Sequence, residues 1–405
     1  MTETVRTRVA IVGAGPAGLL LSHLLHRSGI DSIVIDDRSR DEIEQTIRAG
    51  ILEQGTVEVL TESGASDRVL TLGHRHEGIE LRFDGVGHRI DFTNLVDRSV
   101  WLYPQHEVLI DLIARRLADG GDVRFGTSAL GVSGVTTSQP VVRVAGPDGE
   151  YDILADVVVG ADGSRSVVRV AVTGSRTGGY FREYPFAWLG ILCEAPPSSR
   201  ELIYSTSKQG FALISQRSET VQRMYLQCDP ELDPESMPET QIWDELEARV
   251  GAPLTQGPIF KRDVLRFRSF VAHSLRNGRA FLVGDAAHTV PPTGAKGMNL
   301  AIADVVVLHR AIEEFAQSGS ELLFDSYAET VLKRIWKAQH FSWWMTSMLH
   351  AAPDASEFDQ LRRMSELSSV VESRAGSAYL ADAYTGWAPS NVNPLGPWRD
   401  VDDRA

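Results

Sequence analysis

The sequence predicts an α/β fold in which a Rossmann-like domain is interrupted by an inserted antiparallel β domain and followed by a C-terminal helical part. Three observations support this. The run RVAIVGAG reads as a buried strand ending in glycines, with an apolar helix over 16–28 and a second strand, SIVIDD, behind it. Between about 180 and 270 the strand-like runs AWLGILCEA, RELIYST, GFALISQR and QRMYLQCD dominate, with one helix over 241–250. From about 299 the pattern is helical, over 299–316, 321–350 and 356–373.

Between these blocks, IELRFDG followed by GHRIDF reads as a hairpin. A second hairpin turns at Pro147-Asp148-Gly149 and leads into the buried strand before ADG. The acidic, proline-bearing tail from Trp387 is expected to pack loosely. With 405 residues, 43% of them hydrophobic, the chain suits two or three packed domains. Its formal charge of -14 argues against nucleic acid or an anionic membrane as a partner, since both want a basic surface. No run reaches the ~18 apolar residues of a membrane span. Cys193 and Cys228 have no CxxC spacing, so neither a disulfide framework nor a metal site is expected, and the thiols fit a reducing cytoplasm.

In VGAGPAG, Gly13, Gly15 and Gly18 form GxGxxG between strand and helix, with Ala17 inside the motif, and Asp36 ends the next strand. Such glycines let the backbone approach a pyrophosphate at a helix N-terminus, and the acid accepts from ribose hydroxyls, so the pattern points to FAD or NAD. A second site of this kind lies in FLVGDAAHTVPPTGAKGMNL. There Asp285 ends a strand, and Gly294 and Gly297 precede a helix. A carboxylate for a polyol and free N–H groups for a negative charge are what a flavin needs, although such an acid and such glycines also make ordinary caps and turns. Ser215 and Arg217 stand two apart in ISQRS, so on a strand they would share a face and could converge on a carboxylate.

GAGPAG, ADG at 161–163 and FLVGDAAHTVPPTGAKGMN together resemble the three signatures of the single-component flavin-dependent aromatic hydroxylases. IRAGILEQG, YPFAWLGIL, ELIYST, GFALISQRS and RIWKAQHFSWWMTSMLH are similar to those that act on 4-hydroxybenzoate. The resemblance implies a glutathione-reductase-type FAD-binding domain over 1–178 plus 273–300, a substrate-binding β domain over 179–272, and a helical, dimer-interface part over 301–405. It implies hydroxylation of 4-hydroxybenzoate to 3,4-dihydroxybenzoate with O2 and NADH or NADPH, in a homodimer.

The resemblance also implies residue roles. Gly13, Gly15, Ala17, Gly18, Asp36, Arg48, Gln105, Asp162, Asp285, Gly297, Met298 and Asn299 serve FAD. Ser215, Arg217 and Tyr225 bind the benzoate carboxylate, the Pro292 carbonyl meets the substrate hydroxyl, and Thr293 lines the pocket. Tyr204 and Tyr384 form a proton relay leading to His76, and Arg223 assists a swing of the flavin. An electrophilic attack on the ring needs a phenolate, and lowering a phenol from ~10 by two to three units takes about 3 to 4 kcal/mol. By spacing alone the two tyrosines would be core aromatics and His76 a surface residue.

Members that prefer NADPH carry basic residues and a tyrosine after the second strand and a histidine after ADG. Here Asp37, Glu42, Thr46 and Arg165 stand instead, with Arg38, Arg40 and Arg268 as nearby cations. Carboxylates repel a 2′-phosphate, so NADH is expected to serve at least as well as NADPH. The alternatives are the same chemistry on a substituted hydroxybenzoate, or a flavin-binding sensor without turnover.

Overall fold

The computed structural model describes residues 3–46 and 50–387. Its first sheet has a parallel centre in the order Ala280–Leu282, Gly149–Gly160, Glu3–Val12, Ser32–Ile35, Asp122–Arg124. The apolar runs predicted as strands sit here because helices such as Pro16–Arg27 and Gly297–Ser318 cover the sheet, so strand residues bury both faces. Ile11, Val34, Val159 and Phe281 are fully buried, and each such side chain stabilises the fold by about 1.5 to 3 kcal/mol. The strand order also sets the site. Val12, Ile35, Gly160 and Leu282 are neighbouring carboxyl ends, so the segments starting at Gly13, Asp36, Ala161 and Val283 emerge along one edge. Gly13 N–H donates to Ile35 O at 2.7 Å, Ala161 N–H to Val12 O at 2.8 Å and Val283 N–H to Gly160 O at 3.0 Å, which ties these turns together.

The second sheet has eight strands in the order His288–Thr289, Ile259–Ala272, Gly179–Glu194, Val221–Cys228, Gly210–Gln216, Ile203–Ser207, Gly78–Phe83, Val86–Asp91. The hairpin at 78–91 forms as expected, but it joins this sheet, and Gly78–Phe83 pairs in parallel with Ile203–Ser207. Its buried Ile79, Leu81 and Phe83 explain why, since they extend the apolar face shared by Tyr204, Leu213 and Tyr225. The other face, with Ile203, Ile214, Met224 and Leu226, packs on the helix Glu239–Val250.

Helices Leu322–Leu349, Glu357–Glu372 and Arg374–Thr385 close the aromatic face with Phe341, Met345, Leu380 and Tyr384. The helix Arg374–Thr385 was not among the expected elements; Ser373 caps it by accepting from Gly376 N–H at 3.2 Å. A small sheet of Ile51–Glu53, Val100–Leu102 and His74–His76 bridges the two larger ones. Among the described residues no helix is long and apolar enough to cross a membrane. The expected loose tail beyond Trp387 lies outside the described residues.

Candidate functional site

The edge where four strands end is a cradle. A Cβ on Gly13 would fall 2.3 Å from Ala161 O, and one on Gly18 would fall 1.9 Å from Gly13 O, so those glycines permit close backbone packing. Gly15 and Gly297 differ: a Cβ on either would meet nothing within 4 Å, and each lies at the N-terminus of a long helix. Both helices therefore present backbone N–H groups to open space, an arrangement suited to anionic parts of a ligand. Ala17 is buried in the first helix, and Met298 is half-buried in the second. Asp36 is buried and accepts from Ala14 N–H at 2.8 Å, while Arg38 grips both its oxygens at 2.9 and 3.0 Å. Burial pushes this carboxyl up, but the Arg38 contacts more than offset it and hold it below the usual range.

Asp285 is half-buried at the same edge, and no described residue donates to its carboxylate. Asp162 is different. Its carboxylate accepts from Ser166 Oγ, from Val167 N–H at 2.7 Å and from Val168 N–H at 3.3 Å, so it shapes its own turn. The Asn299 side chain is saturated by protein: it donates to Ile51 O and Ala295 O and accepts from Glu53 N–H and Thr56 Oγ, clamping the loop before its helix. Gln105 opens the helix Gln105–Ala118. Arg48 lies outside the described residues. The cradle fits FAD: two open helix N-termini and two acids line one edge.

The second sheet carries a row of polar side chains with a built-in ruler. Tyr204 stands opposite Leu213, and Leu213 opposite Tyr225, so the two tyrosines share one face two strands apart, a span of roughly 10 Å. Ser215 stands opposite Arg223 on that face and donates from Oγ to Arg223 O at 2.8 Å. The strand carrying Ser215 ends at Gln216, so Arg217 does not continue it as the spacing implied. It begins a turn, with its N–H donating to Val221 O at 2.8 Å. Its guanidinium nevertheless remains beside Arg223, whose charge together with burial lowers its pKa. Arg223 has a buried Nη1 with no partner among the described residues, and its Cζ sits 5.1 Å over the Tyr225 ring. Two cations in a half-dry site with an unpaired N–H suit an anion.

At the other end of the ruler, Tyr204 and Tyr384 are both 1% exposed, with hydroxyls 2.7 Å apart. Burial raises both well above an ordinary tyrosine. Their shared hydrogen bond couples the two hydroxyls, and either oxygen can donate it. Thr293 is fully buried and shares a hydrogen bond with Thr346 Oγ1 at 2.8 Å, and Pro292 O accepts from Ala295 N–H at 2.9 Å. His76 is 2% exposed rather than on the surface, on the strand His74–His76 that pairs with Val100–Leu102. Its Nε2 lies 3.4 Å from Gln216 Nε2, and no direct hydrogen bond joins it to either tyrosine among the described residues.

Burial pushes His76 down to about 4, as it does His309, and His350 to about 3. Because the folded values lie below the ordinary 6.5, the unfolded chain binds more protons between about pH 6.5 and 4, and acid favours unfolding. Each histidine contributes a slope of up to about 1.4 kcal/mol per pH unit. We expect the melting temperature to fall measurably between pH 7 and 5; an unchanged value would contradict neutral burial of these rings.

A buried ionic cluster escaped the sequence reading. Lys296, 1% exposed, donates to Glu53 Oε1 at 2.7 Å and to Tyr384 O at 2.9 Å, and Arg334 reaches Glu53 Oε2 at 2.9 Å. Two cations on one acid leave an excess positive charge beside Tyr384. Burial pulls Lys296 below an ordinary lysine, and Glu53 opposes this. An acid between buried Leu52 and the start of the helix Gln54–Glu62 is the local signal in the sequence.

The residues considered for a nicotinamide nucleotide form two groups. Exposed Asp37 and Glu42 flank Arg38, which is held by Asp36; Arg40 pairs with Glu44 at 2.6 Å, and Glu42 caps Ser39. Arg165 is exposed after ADG, and Arg268 donates to Ser164 Oγ at 2.9 Å.

Comparison with known proteins agrees with this geometry. The family model described as FAD binding domain matches residues 6–342. The chain is 40% identical over 389 residues to p-hydroxybenzoate hydroxylase of Acinetobacter baylyi, covering 95% of this chain and 96% of that one. It is 30% identical over 333 residues to 3-amino-4-hydroxybenzoate 2-monooxygenase of Streptomyces cremeus, covering 74% and 77%. The crystal structure of p-nitrophenol 4-monooxygenase from Pseudomonas putida shares the fold, with a TM-score of 0.77 at 19% identity over 95% of this chain and 99% of that one. The chain therefore belongs to the FAD-dependent aromatic hydroxylases.

Proposed function

We propose that this hydroxylase converts 4-hydroxybenzoate, O2, NAD(P)H and a proton into 3,4-dihydroxybenzoate, water and NAD(P)+. The observation that supports this best is the pocket's polarity along one row. Arg217, Arg223, Ser215 and Tyr225 offer charge and hydroxyls at one end, and the Tyr204–Tyr384 pair accepts a phenol at the other, roughly 10 Å away. FAD, when bound, would supply the redox chemistry that couples nicotinamide oxidation to O2 activation.

The chain's own groups do the rest. Gly13, Gly15, Ala17, Gly18, Asp36, Asp285, Gly297 and Met298 hold the cofactor, with Asp162, Gln105 and Asn299 shaping the loops beside it. Arg217 and Arg223 take the carboxylate and fix the ring's register. The substrate phenol passes its proton to the Tyr204–Tyr384 pair, whose hydroxyls lie 2.7 Å apart, and onward toward His76. The excess positive charge around Lys296 favours the phenolate. Pro292 and Thr293 wall the pocket, with Thr293 locked by Thr346.

The purified yellow protein should oxidise NADH much faster with 4-hydroxybenzoate present and release one 3,4-dihydroxybenzoate per substrate consumed, as chromatography would show. Absence of that product, or faster turnover of a substituted hydroxybenzoate, would overturn the assignment.

NADH is the expected reductant. Both arginines near the second strand are committed to acids, Arg38 to Asp36 and Arg40 to Glu44, while Asp37 and Glu42 repel a phosphate. We expect kcat/KM for NADH to equal or exceed that for NADPH, and a tenfold NADPH preference would refute this. A homodimer fits the apolar residues left exposed on the C-terminal helices, Trp343, Phe358, Leu361 and Tyr379, and sedimentation velocity should give twice 44.5 kDa. A cytoplasmic location fits the two free cysteines, whose thiols burial raises to about 11, and cell fractionation would test it.

A further inference from the structure

Arg217 has a long, flexible side chain in a turn, and among the described residues its guanidinium makes one hydrogen bond, from Nη2 to His106 Nδ1 at 3.1 Å. A guanidinium only donates, so Nδ1 must be the accepting nitrogen and the imidazole proton must sit on Nε2. That nitrogen lies 3.3 Å from Glu107 Oε1, and Glu107 is itself held by Arg68 Nη2 at 2.8 Å. The three groups form a chain, Glu107 to His106 to Arg217, that runs from a helix into the turn of the second sheet.

We propose that His106 is a positioning residue: neutral and oriented by Glu107, it holds Arg217 in the pose that receives the substrate carboxylate. The inference rests on the reading of Arg217 given above. Two features keep the ring neutral. His106 lies in the first turn of the helix Gln105–Ala118, where a cation is disfavoured, and burial together with Arg217 pulls it below the ordinary histidine range against the opposing Glu107. An arginine held by a second group before ligand arrives loses less freedom on binding, so the effect falls on affinity.

The test compares His106→Leu, which removes the acceptor, with His106→Asn, whose amide oxygen replaces it. Binding of 4-hydroxybenzoate and of uncharged 4-hydroxybenzyl alcohol to the holoenzyme is read from the flavin spectrum. We expect the Leu variant to weaken the acid by about tenfold and the alcohol by less than about twofold, the loss falling on KM rather than kcat, and the Asn variant to recover most of it. Unchanged affinity in the Leu variant, equal losses for both ligands, or an Asn variant as weak as Leu would overturn the proposal. Arg217→Ala measured alongside separates the two ideas: if it too leaves 4-hydroxybenzoate affinity intact, the reading of Arg217 itself fails.

Discussion

Replacing Tyr204 by Phe is expected to lower the rate of product formation by roughly 100- to 1000-fold, the range for loss of a positioned proton acceptor. The substitution keeps the ring in its apolar cluster and removes only the hydroxyl that meets Tyr384 at 2.7 Å. Binding should change by less than about fivefold, since the carboxylate end of the row is untouched. Stimulated NADH oxidation should persist while hydroxylation fails, because the ligand still docks but its phenol is not ionised. A variant that hydroxylates at the parent rate would exclude Tyr204 from proton transfer. Tyr384→Phe should show a similar loss, and the double variant little more, as members of one relay are not additive.

The second large effect is expected at Arg217. Arg217→Ala should weaken 4-hydroxybenzoate by about 100-fold, equivalent to about 2.7 kcal/mol, as befits loss of a charge-assisted pair in a half-buried site. Arg223 remains to offer one cation, which is why binding should survive at high substrate. The variant should distinguish the acid from its uncharged alcohol far less well than the parent, with Arg223 supplying what discrimination is left. Unchanged discrimination would mean that Arg217 does not read the carboxylate. Because Arg217 is half-buried and, among the described residues, bonded through its side chain only to His106, folding stability should change little.

Much of this was legible in the chain. Four strands of the parallel sheet carry apolar runs that lead into a glycine or an acid, and parallel pairing sets those ends side by side, so Gly13, Asp36, Asp162 and Asp285 meet at one edge. Local period told less about the pocket. The Tyr204–Tyr384 bond joins residues 180 apart, and only the resemblance linked them. Strand alternation placed Ser215 correctly but carried Arg217 one residue too far, because the ladder ends at Gln216. Spacing alone made His76 a surface residue, whereas it is buried on a strand whose partner, Val100–Leu102, comes from a distant segment. The same holds for Glu53, Lys296 and Arg334, three charges from distant segments that make sense only once they meet.

The central claim is that the pocket ionises its phenol, and difference spectroscopy of 4-hydroxybenzoate bound to the oxidised holoenzyme across pH 6 to 10 tests it directly. The phenolate band should grow in with an apparent pKa two to three units below the ~10 of a free phenol, and that shift should vanish in Tyr204→Phe. A bound phenol that titrates near its free value in the parent protein would contradict the account.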